Sequence, residues 1–240
     1  MIIDVNAQIG EPWGTLVSQT ADELLARMDA AGVERAIVGP FPFGNFDNEY
    51  VARAVAAHSN RLSGVVMMSP FSDETVAESL TKYVDDAGFV GVRLHPAAHG
   101  YKLSERLVVA DILEGALERD VPIVAYSGDE LFATPFQLMI AAEQYPELTF
   151  VMLHSGFMNQ TNDAVMVAER CSNVYLEHSS GISAGLVQSI DAVGAERVLY
   201  GSDSPYMDMA VELYKIDISV AEESARKLIL GENARQLFRL

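Results

Sequence analysis

The chain of 240 residues has a single cysteine and few cations: 16 Lys and Arg stand against 34 Asp and Glu, a formal charge of −18. One cysteine cannot close an internal disulfide, so Cys171 is read as a packing residue, and a reducing, cytoplasmic setting is expected. The shortage of positive charge, with no basic cluster, argues against nucleic acid or an anionic membrane surface as partner. No apolar run approaches the roughly 20 residues that cross a bilayer. The opening Met1-Ile2-Ile3-Asp4 reaches an acid too soon for a secretory leader. Low-complexity tracts and breaks in composition are also missing, so a single domain over residues 1–240 is expected. Half the residues are hydrophobic, which places the acids on a solvated surface around a sizeable core and excludes disorder.

What is present repeats. Short apolar runs rich in Val and Ile occur at Ile2–Val5, Ala36–Val38, Leu62–Met68, Val90–Leu94, Pro122–Ala125, Leu148–Leu153, Val174–Leu176 and Arg197–Tyr200. Continuous apolar runs of this kind suit strands covered on both faces of a parallel sheet. Most start roughly 25 to 30 residues apart, the length of one strand-helix-strand step. Helix starts fill the gaps: Thr20 with Glu23, Thr134-Pro135 with Gln137, and Ser219 with Glu222 each have capping spacing. Eight such units close most economically into a (β/α)₈ TIM barrel. The rival, an open doubly wound sheet, needs a glycine fingerprint after its first strand, where only Gly10 stands.

In a barrel the carboxyl ends of the strands open into one mouth, and here they are polar. Alternation after the first run places Asp4, Asn6 and Gln8 on one face, and Arg93 and His95 share a face after the fourth. The later runs end at Tyr126, His154, Glu177-His178 and Asp203. Of Glu177 and His178, only one can point inward. Asp203 is an acceptor able to take a proton from water, and Arg93, His95, His154 and Tyr126 are donors for an oxyanion or a carboxylate. Asn6 and Gln8 add amides. Trp13, with Phe41, Phe43 and Phe46, forms an aromatic rim suited to an apolar substrate wall or a dimer contact. The bland alternatives are an Arg93–Asp4 ion pair, an Asp203 helix cap, and cavity filling by Tyr126, Asn6 and Gln8. His58 and His99 read as surface residues.

Gly91-Val92-Arg93-Leu94-His95-Pro96, Phe150-Val151-Met152-Leu153-His154-Ser155-Gly156, Asn173-Val174-Tyr175-Leu176-Glu177 and Leu199-Tyr200-Gly201-Ser202-Asp203-Ser204-Pro205 together resemble the amidohydrolase superfamily. The resembling branch is amidohydrolase family 2, small barrel hydrolases and decarboxylases, and Gly231-Glu232-Asn233-Ala234-Arg235-Gln236-Leu237-Phe238 is similar to its terminal helix. The departures carry the most information. That family usually places His-x-His after the first strand and a histidine after the fifth; here Asn6-Ala7-Gln8 and Tyr126 stand there. Amides replace imidazole poorly around Zn²⁺, and a phenol must first lose a proton with a pKa near ~10. The resemblance to the metal-free pyrone dicarboxylate lactonases of that superfamily implies that Asp203 activates water directly.

The expectation is therefore a hydrolase of an ester, lactone, thioester or amide in a small carbonyl substrate, without a metal cofactor. Asp203, His154, His95 and Arg93 are the expected catalytic residues, and Asn6, Gln8, Tyr126 and Trp13 the substrate-binding ones. Two alternatives remain open: a decarboxylase holding a divalent metal such as Zn²⁺ through His154, His178 and Asp203, and a lapsed enzyme kept as a binding protein. Short loops on so short a barrel leave the mouth open, for a homodimer partner to close.

Overall fold

The computed structural model describes residues 1–12, 14, 17–44 and 46–240. Eight parallel strands stand in chain order: β1 (Ile3–Ile9), β2 (Arg35–Pro40), β3 (Leu62–Met68), β4 (Gly91–Leu94), β5 (Ile123–Tyr126), β6 (Phe150–Leu153), β7 (Val174–Glu177) and β8 (Val198–Leu199). Beyond β8 the chain returns to β1 through Val5 N to Tyr200 O at 3.0 Å and Gln8 N to Ser204 O at 2.9 Å. The ring is thus nearly closed, and the expected TIM barrel is the observed fold. Around it pack α1 (Ala21–Ala31), α2 (Asn48–Ala57), α3 (Val76–Leu80), α4 (Pro96–His99), α5 (Arg106–Glu118), α6 (Pro135–Gln144), α7 (Thr161–Arg170), α8 (Ser183–Val193), α9 (Met209–Ser219), α10 (Glu223–Lys227) and α11 (Asn233–Leu237).

Alternation along the strands divides the apolar residues into two cores. One fills the barrel with Ile3, Val5, Ile37, Val65, Val124, Val151, Leu153 and Leu199; the other lies between strands and helices. Ala234 and Phe238 join the inner core, so α11 plugs the amino-terminal end of the barrel. Asn233 fixes that plug by donating through Nδ2 to the carbonyls of Ala195 and Val198, both at 2.8 Å. Cys171 is buried in the outer core, as a packing residue.

The helix starts follow their sequence signals with one exception. Thr20 and Thr134 form complete capping boxes with Glu23 and Gln137. Ser219 does not cap: it is the last residue of α9, and α10 begins after Glu222 with no side-chain cap. Among the described residues no helix is long and apolar enough to cross a membrane.

One irregularity re-aims the first strand. The β1–β2 register shifts between Asp4 and Ala7, so Ile3 and Val5 belong to the inner core while Ala7 and Ile9 belong to the outer one. A bulge shifts facing by one residue. Asn6 and Gln8 therefore join Ile3 and Val5 on the interior face, and Asp4 turns the other way, correcting the expectation that all three share a face. Asp4 pins the bulge by accepting from Asn6 N at 3.0 Å and Ser202 N at 2.9 Å.

Replacing Asn233 with Ala leaves two buried carbonyls without their donor, at a cost of about 2 kcal/mol, and Thr134→Ala removes a helix cap worth about 1 kcal/mol. Urea unfolding of both variants should show the larger loss for Asn233→Ala; an unchanged midpoint would contradict the role given to the α11 plug.

Candidate active site

The strand ends bring Asn6, Gln8, Arg93, His95, Tyr126, His154, Glu177 and Asp203 to one mouth. Arg93 is 4% exposed and donates through Nη2 to Asn6 Oδ1 at 2.7 Å and through Nη1 to the Ala7 carbonyl at 3.3 Å. Gly39 on β2 leaves room for its stem, since a Cβ there would meet Arg93 Cδ at 3.1 Å. The expected alternative of an Arg93–Asp4 ion pair does not occur: among the described residues no carboxylate lies within 4.0 Å of the guanidinium. Burial pulls its pKa down, and the fields of Asp203, Glu177 and Asp4 hold it up.

Asp203 is 8% exposed and takes a left-handed backbone, φ 56°. Its carboxylate accepts from Gln8 Nε2 at 3.0 Å and from Ser180 Oγ at 3.1 Å. Burial raises its pKa to about 6 against the opposing pull of Arg93 and Ser180. It is ionised at neutral pH and close to its titration point, as a general base requires.

The two mouth histidines are neutral with opposite tautomers. His154 has φ 62°, which swings its ring toward the mouth although Leu153 before it already faces inward. Its Nδ1 lies 3.2 Å from the Ser179 carbonyl. A carbonyl only accepts, so Nδ1 carries the hydrogen and Nε2 presents a lone pair. Burial lowers this histidine to about 3. His95 is the reverse: Nδ1 accepts from Ala98 N at 3.1 Å, capping α4 and leaving Nε2–H as the donor. Its ring stacks on half-buried Tyr126 with centroids 3.9 Å apart, and burial holds its pKa well below the ordinary imidazole value.

Glu177, and not His178, turns inward. Its carboxylate accepts from Ser179 N, Ser179 Oγ, Asn6 Nδ2 and His154 N, and burial lifts its pKa to about 7. Gly201 packs against it so closely that a Cβ would lie 2.6 Å from Glu177 Oε1. Asn6 is thus bonded at both ends, to Glu177 and Ser179 through Nδ2 and to Arg93 through Oδ1. It orients Arg93 and leaves no amide hydrogen for a carbonyl. Gln8 likewise orients Asp203. Both were expected to bind substrate, and the hydrogen bonds of each run to a charged neighbour. Trp13 lies outside the described residues. His99, expected at the surface, is half-buried against Phe46 at 4.8 Å.

Ser179 and Ser180 carried no signal in the sequence, since two serines after a strand are ordinary loop composition. They matter because the β7–α8 loop delivers one to His154 and the other to Asp203. That loop is held from α9: Glu212 accepts from Ser180 N at 3.1 Å, and Lys215, paired with Glu212, donates to the carbonyls of His178 and Gly181.

The donor set does not fit the divalent metal of the decarboxylase alternative. His178 faces α8 and pairs with Ser189 Oγ at 2.8 Å, which removes it from the expected His154–His178–Asp203 ligand set. The Arg93 cation lies beside Asn6, where a second cation would be repelled. Among the described residues no group of three or more His, Cys, Asp or Glu could hold a metal ion.

The amidohydrolase family model matches residues 15–240. The chain belongs to the amidohydrolase family. Solved structures with the same fold include an uncharacterised TIM-barrel protein from Bordetella bronchiseptica, at 19% identity and a TM-score of 0.81 over 99% of this chain and 98% of that one. A putative 2-pyrone-4,6-dicarboxylic acid hydrolase from Pseudomonas putida matches at 20% identity and 0.81, covering 99% and 97%. The 5-carboxyvanillate decarboxylase of Sphingomonas paucimobilis matches at 16% and 0.79, covering 100% and 99%. At these identities the likeness is one of fold.

The raised Asp203 gives a stability test with a definite sign. Its folded pKa of about 6 exceeds the 3.8 of an ordinary, solvated aspartate, so the folded state binds more protons between those values. Stability therefore falls as pH rises through that window. Asp203→Asn should unfold at a higher temperature than wild type at pH 7.5, by an amount corresponding to about 1–3 kcal/mol, with the difference vanishing near pH 4. A difference independent of pH would contradict the raised pKa.

Proposed function

We propose that this amidohydrolase-family protein is a hydrolase that cleaves an acyl bond of a small carboxylate-bearing molecule, using water activated by Asp203 and no metal. The observation that supports it best is Asp203 itself: a buried carboxylate aimed by Gln8 and Ser180, next to a buried guanidinium that has no acid of its own. As the water oxygen bonds to the carbonyl carbon, its proton passes to Asp203. Charge developing on the carbonyl oxygen is met by Arg93 and the His95 Nε2–H. Collapse of the tetrahedral species breaks the acyl bond, and the proton on Asp203 passes to the leaving group. The His154 lone pair accepts from the incoming water or from a substrate hydroxyl. Tyr126 and Phe157 frame the ring of His154, at 5.3 and 4.4 Å between centroids.

The putative pyrone hydrolase among the similar structures supports hydrolysis, and the decarboxylases support the rival reaction. A decarboxylase needs a different result: stoichiometric Mn²⁺ or Zn²⁺ in the purified protein, activity lost to a chelator, and CO₂ as product. A panel of carboxylate-bearing esters, lactones, thioesters and amides, assayed with and without chelator alongside elemental analysis, separates the two. Complete inertness across both assays would favour a binding protein.

With a turned-over substrate in hand, Asp203→Asn should lower kcat/KM by roughly 10²–10⁴-fold; full activity would sink the mechanism. The wild-type kcat/KM should rise with pH and level off above about 6, as Asp203 ionises. Ser180 donates to that carboxylate and lowers its pKa, so Ser180→Ala should move the limb to higher pH. A limb that stays in place would assign it to another group.

A further inference from the structure

Behind the mouth, three buried side chains form a hydrogen-bonded line that the path through Asp203 does not use. Glu177 Oε2 accepts from Ser179 Oγ at 2.9 Å, and the same Oγ lies 3.1 Å from His154 Nδ1. A hydroxyl donates one hydrogen and accepts two. The Ser179 hydrogen goes to the carboxylate, and its lone pairs take Asn6 Nδ2–H at 3.1 Å and the His154 Nδ1–H, which the Ser179 carbonyl shares at 3.2 Å. On the far side of the ring, Nε2 has no hydrogen-bond partner among the described residues and is not shut away from solvent. The line therefore runs from a buried carboxylate to an open acceptor in the mouth.

Such a line moves a proton without creating a cation. Were Nε2 to gain a proton while Nδ1 kept its own, a buried imidazolium would form in the fields of Arg93 and Lys215, which burial and those charges oppose. Nδ1–H aimed at Ser179 Oγ opens another course. As Nε2 gains a proton, Nδ1 passes its hydrogen to Oγ, and Oγ passes its own to Glu177 Oε2. The ring stays neutral in the other tautomer, and the protein's one change of charge is the neutralisation of a carboxylate that burial already lifts to about 7. The titratable groups around Glu177 are Arg93 on β4, His154 after β6, the adjacent His178, Tyr200 after β8, and Glu212 with Lys215 on α9. Glu212 opposes ionisation of Glu177, and Lys215 pairs with Glu212. In the shifted state the Ser179 carbonyl faces a bare Nδ1, which favours return of the proton.

We propose that His154, Ser179 and Glu177 form a proton relay, in which Glu177 stores a proton that His154 Nε2 takes from the mouth. Its use rests on the reading of the mouth as hydrolytic. The first proton of the attacking water passes to Asp203 and on to the leaving group. The second enters the relay as the tetrahedral species collapses, so the new acid forms directly as a carboxylate. After the product departs, Glu177 returns the proton through Ser179 and His154 to solvent. Ser179 and Glu177 touch no substrate and act only through His154. The relay operates once the carbonyl has been attacked, so it bears on kcat and leaves the Asp203 limb of kcat/KM in place.

Nitrogen-15 NMR of the histidine-labelled protein reads the relay without a substrate, because the two neutral tautomers and the imidazolium give distinct ring shifts. His154 is identified among the five histidines by its absence from the His154→Gln spectrum. In wild type its hydrogen should sit on Nδ1 at pH 8.5 and on Nε2 at pH 5.5, with a midpoint of about 7 that coincides with the carbon-13 titration of the Glu177 carboxyl. Ser179→Ala removes the bridge and should abolish the crossing, leaving Nδ1–H at both pH values, whereas Asp203→Asn should leave the crossing unchanged. A constant tautomer in wild type, an imidazolium in place of the second tautomer, or a crossing that survives in folded Ser179→Ala overturns the relay. The wild-type titration decides the matter even where the variant does not fold. Full activity in Asp203→Asn with the crossing intact would instead count against the hydrolytic reading of Asp203 and leave the relay standing.

Discussion

A guanidinium enclosed in the barrel mouth without an acid at ion-pairing distance sets the terms for everything around it. Among the described residues Arg93 is hydrogen-bonded only to neutral oxygens, those of Asn6 and Ala7, and its charge is balanced at longer range by Asp203, Glu177 and Asp4. A buried cation so placed is costly unless an anion approaches it, and burial lifts Asp203 to about 6, against the opposing pull of Arg93, and Glu177 to about 7. A direct Arg93–Asp203 ion pair would have locked the base in its ionised form and filled the place of a substrate carboxylate.

That arrangement needs a frame that keeps the charges apart. The bulge in β1 turns Asn6 and Gln8 inward; Asn6 holds Arg93, and Gln8 holds Asp203. Glu177 ties Asn6 to the backbone of His154 and to Ser179, and the Glu212–Lys215 pair on α9 fixes the serine loop from behind. Left-handed residues at His154, Ser180 and Asp203 cluster in this region, each pinned by hydrogen bonds, as expected where a fold holds side chains in functional positions. The amides thus take the structural place of imidazoles by organising a charge of the protein's own. The acidic surface, with a formal charge of −18, disfavours anionic substrates at long range, which leaves recognition of a carboxylate to the local field of Arg93.

Much of the fold was legible because each strand of a parallel barrel is buried on both faces and leaves a continuous apolar run, and each run was found within a few residues of its strand. The polar ends Arg93-Leu94-His95, His154 and Gly201-Ser202-Asp203 were legible for the same reason, since a charged residue closing an apolar run must face either a partner or a mouth. A period of two allowed only one of Glu177 and His178 to face inward without saying which, and the bond of His178 to Ser189 on α8 decides it. His99 was misjudged because a histidine in a loop has no local mark of the ring packed on it from the β2–α2 loop.

By itself the sequence determined the barrel, the order of its strands and the capped starts of α1 and α6, because these follow from local periodicity and residue chemistry; the loss of imidazoles after β1 and β5 was legible through the resemblance to the family. Only the tertiary structure decided that Asp4 turns away while Asn6 and Gln8 turn in, that Arg93 has no acid partner, that the two mouth histidines present opposite tautomers, and that Ser179 and Ser180 reach His154 and Asp203. Each depends on a bulge, a left-handed residue or a contact between segments far apart in the chain. Hydrogen bonds spanning 171 residues from Asn6 to Glu177, or 195 from Gln8 to Asp203, leave no trace in any local pattern.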